Sequence, residues 1–146
     1  SSSRPSRPTA ASKSSILKEK DILFHSHKAM EEYDVRPRSP NLITSNFSGG
    51  NQQKIILSRE LNENPKILLV GQPTRGVDIG AIEFIHQRLI DMRNKGAAIL
   101  LVSVELEEIL SLSDRIVVMF DGKIVGEKIN QDVTDRDIGL LMAGIV

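Results

Sequence analysis

The run Phe47-Ser48-Gly49-Gly50-Asn51-Gln52-Gln53-Lys54 places a hydroxyl and two glycines directly ahead of a segment with helical spacing. Such a turn suits a phosphate. Glycine lets the backbone approach an anion closely, and the first N–H groups of a helix point outward unpaired, with the positive end of the macrodipole behind them. The same residues also serve as a plain N-cap with a tight turn, in which the Ser48 oxygen accepts from the first helical turn. Taken alone, they leave both readings open. Few other residues offer chemistry. The chain has no cysteine, which excludes thiol catalysis, Cys-ligated zinc and disulfides. Its histidines, His25, His27 and His86, fall on runs with helical spacing. A His-x-His pair on a helix points to different sides, so surface or interface positions are expected for them rather than metal ligation.

The elements that must hold the Ser-Gly-Gly turn follow from periodicity. Ile22, Leu23, Ala29, Met30 and Tyr33 sit among charges and predict an amphipathic helix over Lys20–Tyr33, ending before Val35-Arg36-Pro37. Residues 37–46, with two prolines, two asparagines and two serines, predict the loop leading into the turn. A second helix is expected from Gly50 to about Asn62, burying Ile55, Ile56, Leu57 and Leu61 and halted by Asn64-Pro65. Lys66–Val70 and Ala97–Val102 are short apolar runs of the kind found in strands buried on both faces of a parallel sheet, joined by a helix over Gly80–Lys95 that Gly96 ends. A short acidic helix over Glu105–Leu110 comes next. A hairpin turning at Asp121-Gly122 joins strands Asp114–Phe120 and Lys123–Lys128, and a helix from Asp135 to about Ala143, capped by Thr134, closes the chain. The fold class is therefore α/β. In such sheets ligands gather at the carboxyl ends of the strands, where Gly71-Gln72-Pro73-Thr74 and Ser103-Val104-Glu105 emerge.

The 146 residues hold 19 basic and 19 acidic side chains, so no global positive field is available for nucleic acid. Aromatic residues make up 3% of the chain, too few for a base-stacking platform. The longest apolar runs fall far short of the roughly 18 residues that span a bilayer. Residues 1–15 hold no large apolar side chain and are expected to be a disordered leader or a cloning remnant, while residues 16–146 form one folded unit. The lack of cysteine accords with a reducing compartment, and the cytoplasm is the expected location.

The order of motifs resembles the second half of an ABC-transporter ATP-binding domain, in particular the second domain of the tandem-domain ATPases of sugar and nucleoside importers. Ser-Gly-Gly-Asn-Gln-Gln-Lys and Pro-Thr-Arg-Gly-Val-Asp-Ile-Gly-Ala carry the resemblance, which runs from about Lys20 to the C-terminus. It implies a partial P-loop NTPase-like fold, a mostly parallel sheet with flanking helices followed by a C-terminal hairpin and short helix. Residues 16–46 would be part of the helical subdomain, and residues 47–146 would carry the signature, Walker B, D-loop and switch regions. Ser48, Gly49, Gly50 and Asn51 match the signature loop, which in that family contacts the γ-phosphate of ATP held by the opposite domain. Asp78 matches the D-loop aspartate of the dimer interface, and as residue type and position it also suits an N-cap for the following helix. Gln53 and Lys54 are expected to be solvated helix surface.

The chain departs from the family pattern where catalysis is expected. The Walker B strand usually ends in Asp then Glu, the first serving Mg²⁺ and the second the attacking water. Here Gly71 and Gln72 stand in those places. Glycine offers no side-chain oxygen, and the amide of Gln72 can orient water but cannot take a proton. An alternative is that Gly71 permits a tight turn that Gln72 caps. Val104 occupies the place of the switch histidine and cannot donate to phosphate. No Gly-x-x-x-x-Gly-Lys occurs in the chain.

The resemblance thus implies a C-terminal fragment of an importer's ATP-binding subunit, supplying signature and D-loop to a composite ATP site with degenerate catalytic residues. ATP and Mg²⁺ belong to the intact protein, with neither expected on this chain alone. The implied partners are the N-terminal half of the same domain, a second ATP-binding domain and a transmembrane permease, which would hold the protein at the inner membrane face. Without its other half, the sheet is expected to expose an edge and apolar surface. The alternative function is a non-catalytic interaction module that docks a permease or partner domain.

Overall fold

The computed structural model describes residues 18–145, so residues 1–15, expected to be a leader, lie outside the described residues. Among the described residues five helices and four strands follow one another: α1 (Glu19–Glu32), α2 (Gly49–Leu61), β1 (Ile67–Gly71), α3 (Ile79–Asn94), β2 (Ala98–Val102), α4 (Leu106–Leu112), β3 (Arg115–Phe120), β4 (Lys123–Ile129) and α5 (Asp135–Met142). Single 3-10 turns occupy Thr44–Asn46 and Asn130–Asp132.

The first packing unit is built around α3. Ala81, Ile85, Leu89 and Met92 recur at helical spacing and give it one buried stripe. This stripe meets Leu57 and Leu61 of α2, Met30 and Tyr33 at the end of α1, and Leu68 of β1, with Ile99 of β2 packed alongside. β1 and β2 pair in parallel from Ile67–Ala98 to Gly71–Val102, and Gln72 N–H extends the ladder by donating to the Val102 carbonyl at 2.8 Å. α3 ends at Gly96, whose φ of +92° is a conformation open to glycine at little cost.

The second unit is the antiparallel β3–β4 hairpin under α5. Ile116 and Val118 alternate inward on β3 and meet Ile138 and Leu141 of α5. The hairpin turns at Asp121 and Gly122, both with positive φ, and carries a register shift between Val118 and Met119. Thr134 caps α5 through a full capping box: its side chain accepts from Asp137 N–H, and the Asp137 carboxylate accepts from Thr134 N–H.

Several sequence expectations are corrected here. β1 and β2 are buried on one face only, because α3 and its neighbours cover Leu68, Val70 and Ile99 while the alternate residues point to the open side. Ile56 is exposed, since one helical stripe carries Leu57 and Leu61 inward and leaves their neighbour outside. Lys54 is not solvated surface. Its ammonium lies 4.7 Å from the Phe84 ring centroid, donates to the Asp34 carbonyl at 3.1 Å, and leaves the side chain only 13% exposed. α4 starts at Leu106 rather than Glu105 and runs on to Leu112.

Candidate functional site

The turn before α2 takes its shape from Ser48 and Asn51. Ser48 has extended backbone angles and is the N-cap; its Oγ accepts from Asn51 Nδ2 at 2.9 Å and more weakly from Asn51 N at 3.4 Å. Asn51 Oδ1 in turn accepts from Arg36 N–H at 2.8 Å, tying the loop after α1 to the turn. Gln52 Nε2 donates to the Phe47 carbonyl at 2.8 Å and fixes the approach from the other side. Phe47 is buried in the core while Ser48 and Gly49 are exposed, so the turn rests on a fixed base and presents its rim outward.

Behind that rim lies the loop after β1. A Cβ on Gly49 would stand 3.1 Å from the Gly76 carbonyl, and one on Gly50 would stand 3.1 Å from Asp78 Oδ2 and 2.7 Å from the Ala81 Cβ. Only glycine permits so close a stacking of the two turns. Asp78 caps α3 by accepting from Ala81 N–H at 2.9 Å. Both helices therefore begin at one place: Ser48, Gly49 and Asp78 are exposed side by side, Asn51 is half-buried, and Gly50 is buried between the two turns. The first-turn N–H groups of each helix lack intrahelical partners by construction.

At the end of β1 the arrangement differs from the sequence expectation. Gly71 remains in the strand, paired with Val102, and it is Gln72 that turns the chain, with φ of +49°. The Gln72 side-chain oxygen is buried and has no hydrogen-bond partner. Thr74 is buried beside it in the turn, whose Val77 N–H donates to the Thr74 carbonyl at 3.3 Å. Parallel pairing brings the loops after β1 and β2 out at the same end of the sheet. Val104, in the second loop, is exposed and carries no polar group. These residues do not fit a Mg²⁺ shell: Gly71 has no side-chain oxygen, and the Gln72 side-chain oxygen is a neutral, buried acceptor. Among the described residues no cluster of three His, Asp or Glu side chains is placed to hold a metal.

One contact was not legible in the motifs. His86 Nε2 of α3 lies 3.0 Å from Glu108 Oε1 of α4, and Glu108 is 3% exposed with Oε2 buried and unpartnered. Helical spacing alone gave no means of pairing two residues 22 positions apart. The pair joins the helix that follows the Asp78 loop to the helix that follows Val104. His25 and His27 are exposed on α1. No described helix is long and apolar enough to cross a membrane.

No protein-family model matches the chain. Among curated proteins it is 49% identical over 133 residues to the nucleoside import ATP-binding protein NupA of Lactococcus lactis subsp. cremoris, covering 91% of this chain and 26% of that protein. It is 47% identical over 129 residues to the guanosine import ATP-binding protein NupO of Bacillus subtilis, covering 88% of this chain and 25% of that protein. The ribose import ATP-binding protein RbsA of Caldanaerobacter subterraneus is 38% identical over 127 residues, with coverages of 87% and 25%. The chain thus spans about a quarter of the length of these relatives. Among solved structures, MJ1267, an ATP-binding cassette of an ABC transporter, superposes with a TM-score of 0.70 at 24% identity, covering 91% of this chain and 53% of that one. The dimeric cassette MJ0796 gives a TM-score of 0.67 at 24% identity, with coverages of 80% and 50%. The fold is that of the ABC ATPase cassettes.

Proposed function

We propose that this chain, which belongs by sequence and fold with the ATP-binding proteins of ABC importers, supplies the Ser48–Asn51 turn and the Asp78 loop to a nucleotide held by another cassette. The observation that carries this reading is the stacking of the two turns, with Gly49 against Gly76 and Gly50 against Asp78 and Ala81. It leaves the Ser48 hydroxyl and the first N–H groups of α2 on a rigid rim, where a phosphate from outside can be met by several donors.

The chain's own nucleotide chemistry is deficient. Gly71 supplies no metal donor, Gln72 no base, and Val104 no hydrogen bond to phosphate, and the sequence lacks the Gly-rich loop with its lysine. The reading therefore assigns this chain a closing contact in a composite site and no hydrolysis by itself. Its relatives are named for the import of nucleosides, guanosine and ribose, so nucleosides and sugars are the cargo classes we assign to the assembly. Its partners are then the other half of the cassette, a second ATP-binding domain and a membrane permease, and attachment to the inner membrane face runs through the permease.

A second reading is favoured by one feature: the Ser48 oxygen is already engaged by Asn51, as in a helix cap with no ligand. In that case the surface docks a partner domain without nucleotide. Titration with a fluorescent ATP analogue tests the first reading's deficiency claim. Binding weaker than about millimolar is expected, because a few N–H donors and a hydroxyl contribute only about 1–3 kcal/mol each at a wet surface. Micromolar, Mg²⁺-dependent binding would overturn it.

A further inference from the structure

We infer that Asn51 is a positioning residue for the phosphate contact at Ser48: its amide holds the Ser48 oxygen as an acceptor and leaves the hydroxyl hydrogen for an anion brought from outside. The backbone fixes which way the amide lies. Arg36 N–H can only donate, so the Asn51 atom 2.8 Å from it is the oxygen, and Nδ2 must then face Ser48 Oγ, 2.9 Å away. Asn51 N–H also points at that oxygen, at 3.4 Å. A serine hydroxyl has two lone pairs and one hydrogen. Both hydrogen bonds that Ser48 Oγ makes among the described residues are ones it accepts, so the hydrogen is what remains, on an exposed residue beside exposed Gly49. The helix cap and the phosphate contact are therefore compatible. Engagement of the oxygen by Asn51 is what makes the hydroxyl a donor.

Asn51 keeps this setting only while Arg36 stays in place, and a chain of contacts holds it there. Asp34 Oδ1 accepts from Arg36 Nε at 2.9 Å, and Lys54, one turn along α2 from Asn51, donates to the Asp34 carbonyl at 3.1 Å. Lys54 is itself held against Phe84 of α3, with its ammonium 4.7 Å from the ring centroid. Between the two, Val35 is 1% exposed and its N–H donates to the Met30 carbonyl at 2.9 Å. Residues 34–36 are thus fastened to α2 at two points one turn apart, and the Ser48 hydroxyl takes its direction from that fastening. The Asn51 oxygen and one of its two amide hydrogens are used within the protein, so Asn51 acts through Ser48 rather than by touching the ligand. The inference rests on the nucleotide reading proposed above, and it assigns the roles within that turn.

Two measurements on the full 146-residue chain test it. The first is hydrogen exchange by NMR without nucleotide. Exchange of the Asn51 Nδ2 hydrogens is expected to be slowed in the parent and to quicken in Ser48→Ala, while Arg36 N–H stays protected in Asn51→Asp, which keeps an acceptor for it, and loses protection in Asn51→Ala. Nδ2 exchange that is the same in the parent and Ser48→Ala, or Arg36 protection that Asn51→Ala leaves intact, would overturn the arrangement. The second is ATP-dependent association of the chain, complemented by its other cassette half, with a second ATP-loaded cassette. Ser48→Ala removes the donor and should weaken association about tenfold to a hundredfold. Asn51→Asp replaces the Nδ2 donor by an oxygen that accepts from Ser48 and draws the hydroxyl hydrogen inward, so it should weaken association at least as much. Adding Ser48→Ala to Asn51→Asp should then cost less than about twofold more, because the hydroxyl is already withdrawn. Costs that multiply in the double variant would make Asn51 a ligand contact in its own right and overturn the inference, as would Asn51→Asp associating like the parent. A parent chain without ATP-dependent association would defeat the nucleotide reading instead, and the exchange measurement would then decide the Asn51 arrangement by itself.

Discussion

Gly50 at the start of α2 and Ala81 at the start of α3 are in such close contact that a Cβ on Gly50 would lie 2.7 Å from that of Ala81. The start of α2 thereby packs directly on the small Ala81 side chain and the Asp78 carboxylate, and the Ser48 turn is held against the loop that Asp78 closes.

Gly50→Ala is expected to destabilise the chain by about 1–3 kcal/mol in urea unfolding, because the new methyl displaces α2 from α3. Gly71→Ala should cost well under 1 kcal/mol, since a Cβ there meets nothing within 4 Å. Equal effects at the two positions would contradict the close packing of the turns.

Removing His86 should cost more than altering its partner. His86→Ala leaves the buried Glu108 carboxyl without its 3.0 Å contact, a loss of about 2–4 kcal/mol, whereas Glu108→Gln keeps an acceptor at the same place and should cost about half as much. Thermal and urea unfolding of the two variants and of the double variant give the coupling directly. Additive effects would show that the two side chains do not interact.

The capping box of α5 has a pH signature. The hydrogen bonds from the Thr134 side chain and backbone hold the Asp137 carboxyl below its usual 3.8. A carboxyl depressed in the folded state contributes stability above its unfolded value, near pH 4, and loses it as pH falls through the folded value. Thr134→Ala should cost about 1 kcal/mol at neutral pH. Its difference from the parent chain should shrink as the pH drops below about 4, as measured by unfolding at pH 7, 5 and 3. A difference that stays constant with pH would contradict this assignment. Asp34, lowered chiefly by its hydrogen bond from Arg36, adds to the same acid loss of stability.

Much of this architecture was legible in the sequence. Thr134 capped α5 as read, Asp121-Gly122 turned the hairpin, and Gly96 ended α3, because each depends on residues within one or two turns of it. The Ser48 turn was legible for the same reason. What sequence did not give were contacts between distant segments: Lys54 over Phe84, His86 with Glu108, and Gly50 against Ala81. Nor did apolar runs reveal which face of β1 and β2 stays open, since Ile67 and Leu68 look alike in a one-dimensional pattern and the helix that covers only one of them lies elsewhere in the chain. Gly71 suggested a turn, yet Gln72 makes it, because the ladder to Val102 continues through Gly71.

The proposed contact runs from the Ser48 turn to the phosphate of a nucleotide held elsewhere. Its most direct test is ATP-dependent association of the chain, complemented by its other cassette half, with a second ATP-loaded cassette, measured by analytical ultracentrifugation for the parent and for Ser48→Arg. Association is expected to need ATP and to be lost with Ser48→Arg, whose bulky side chain fills the rim of the turn. Association that is indifferent to nucleotide, or unchanged by Ser48→Arg, would contradict it.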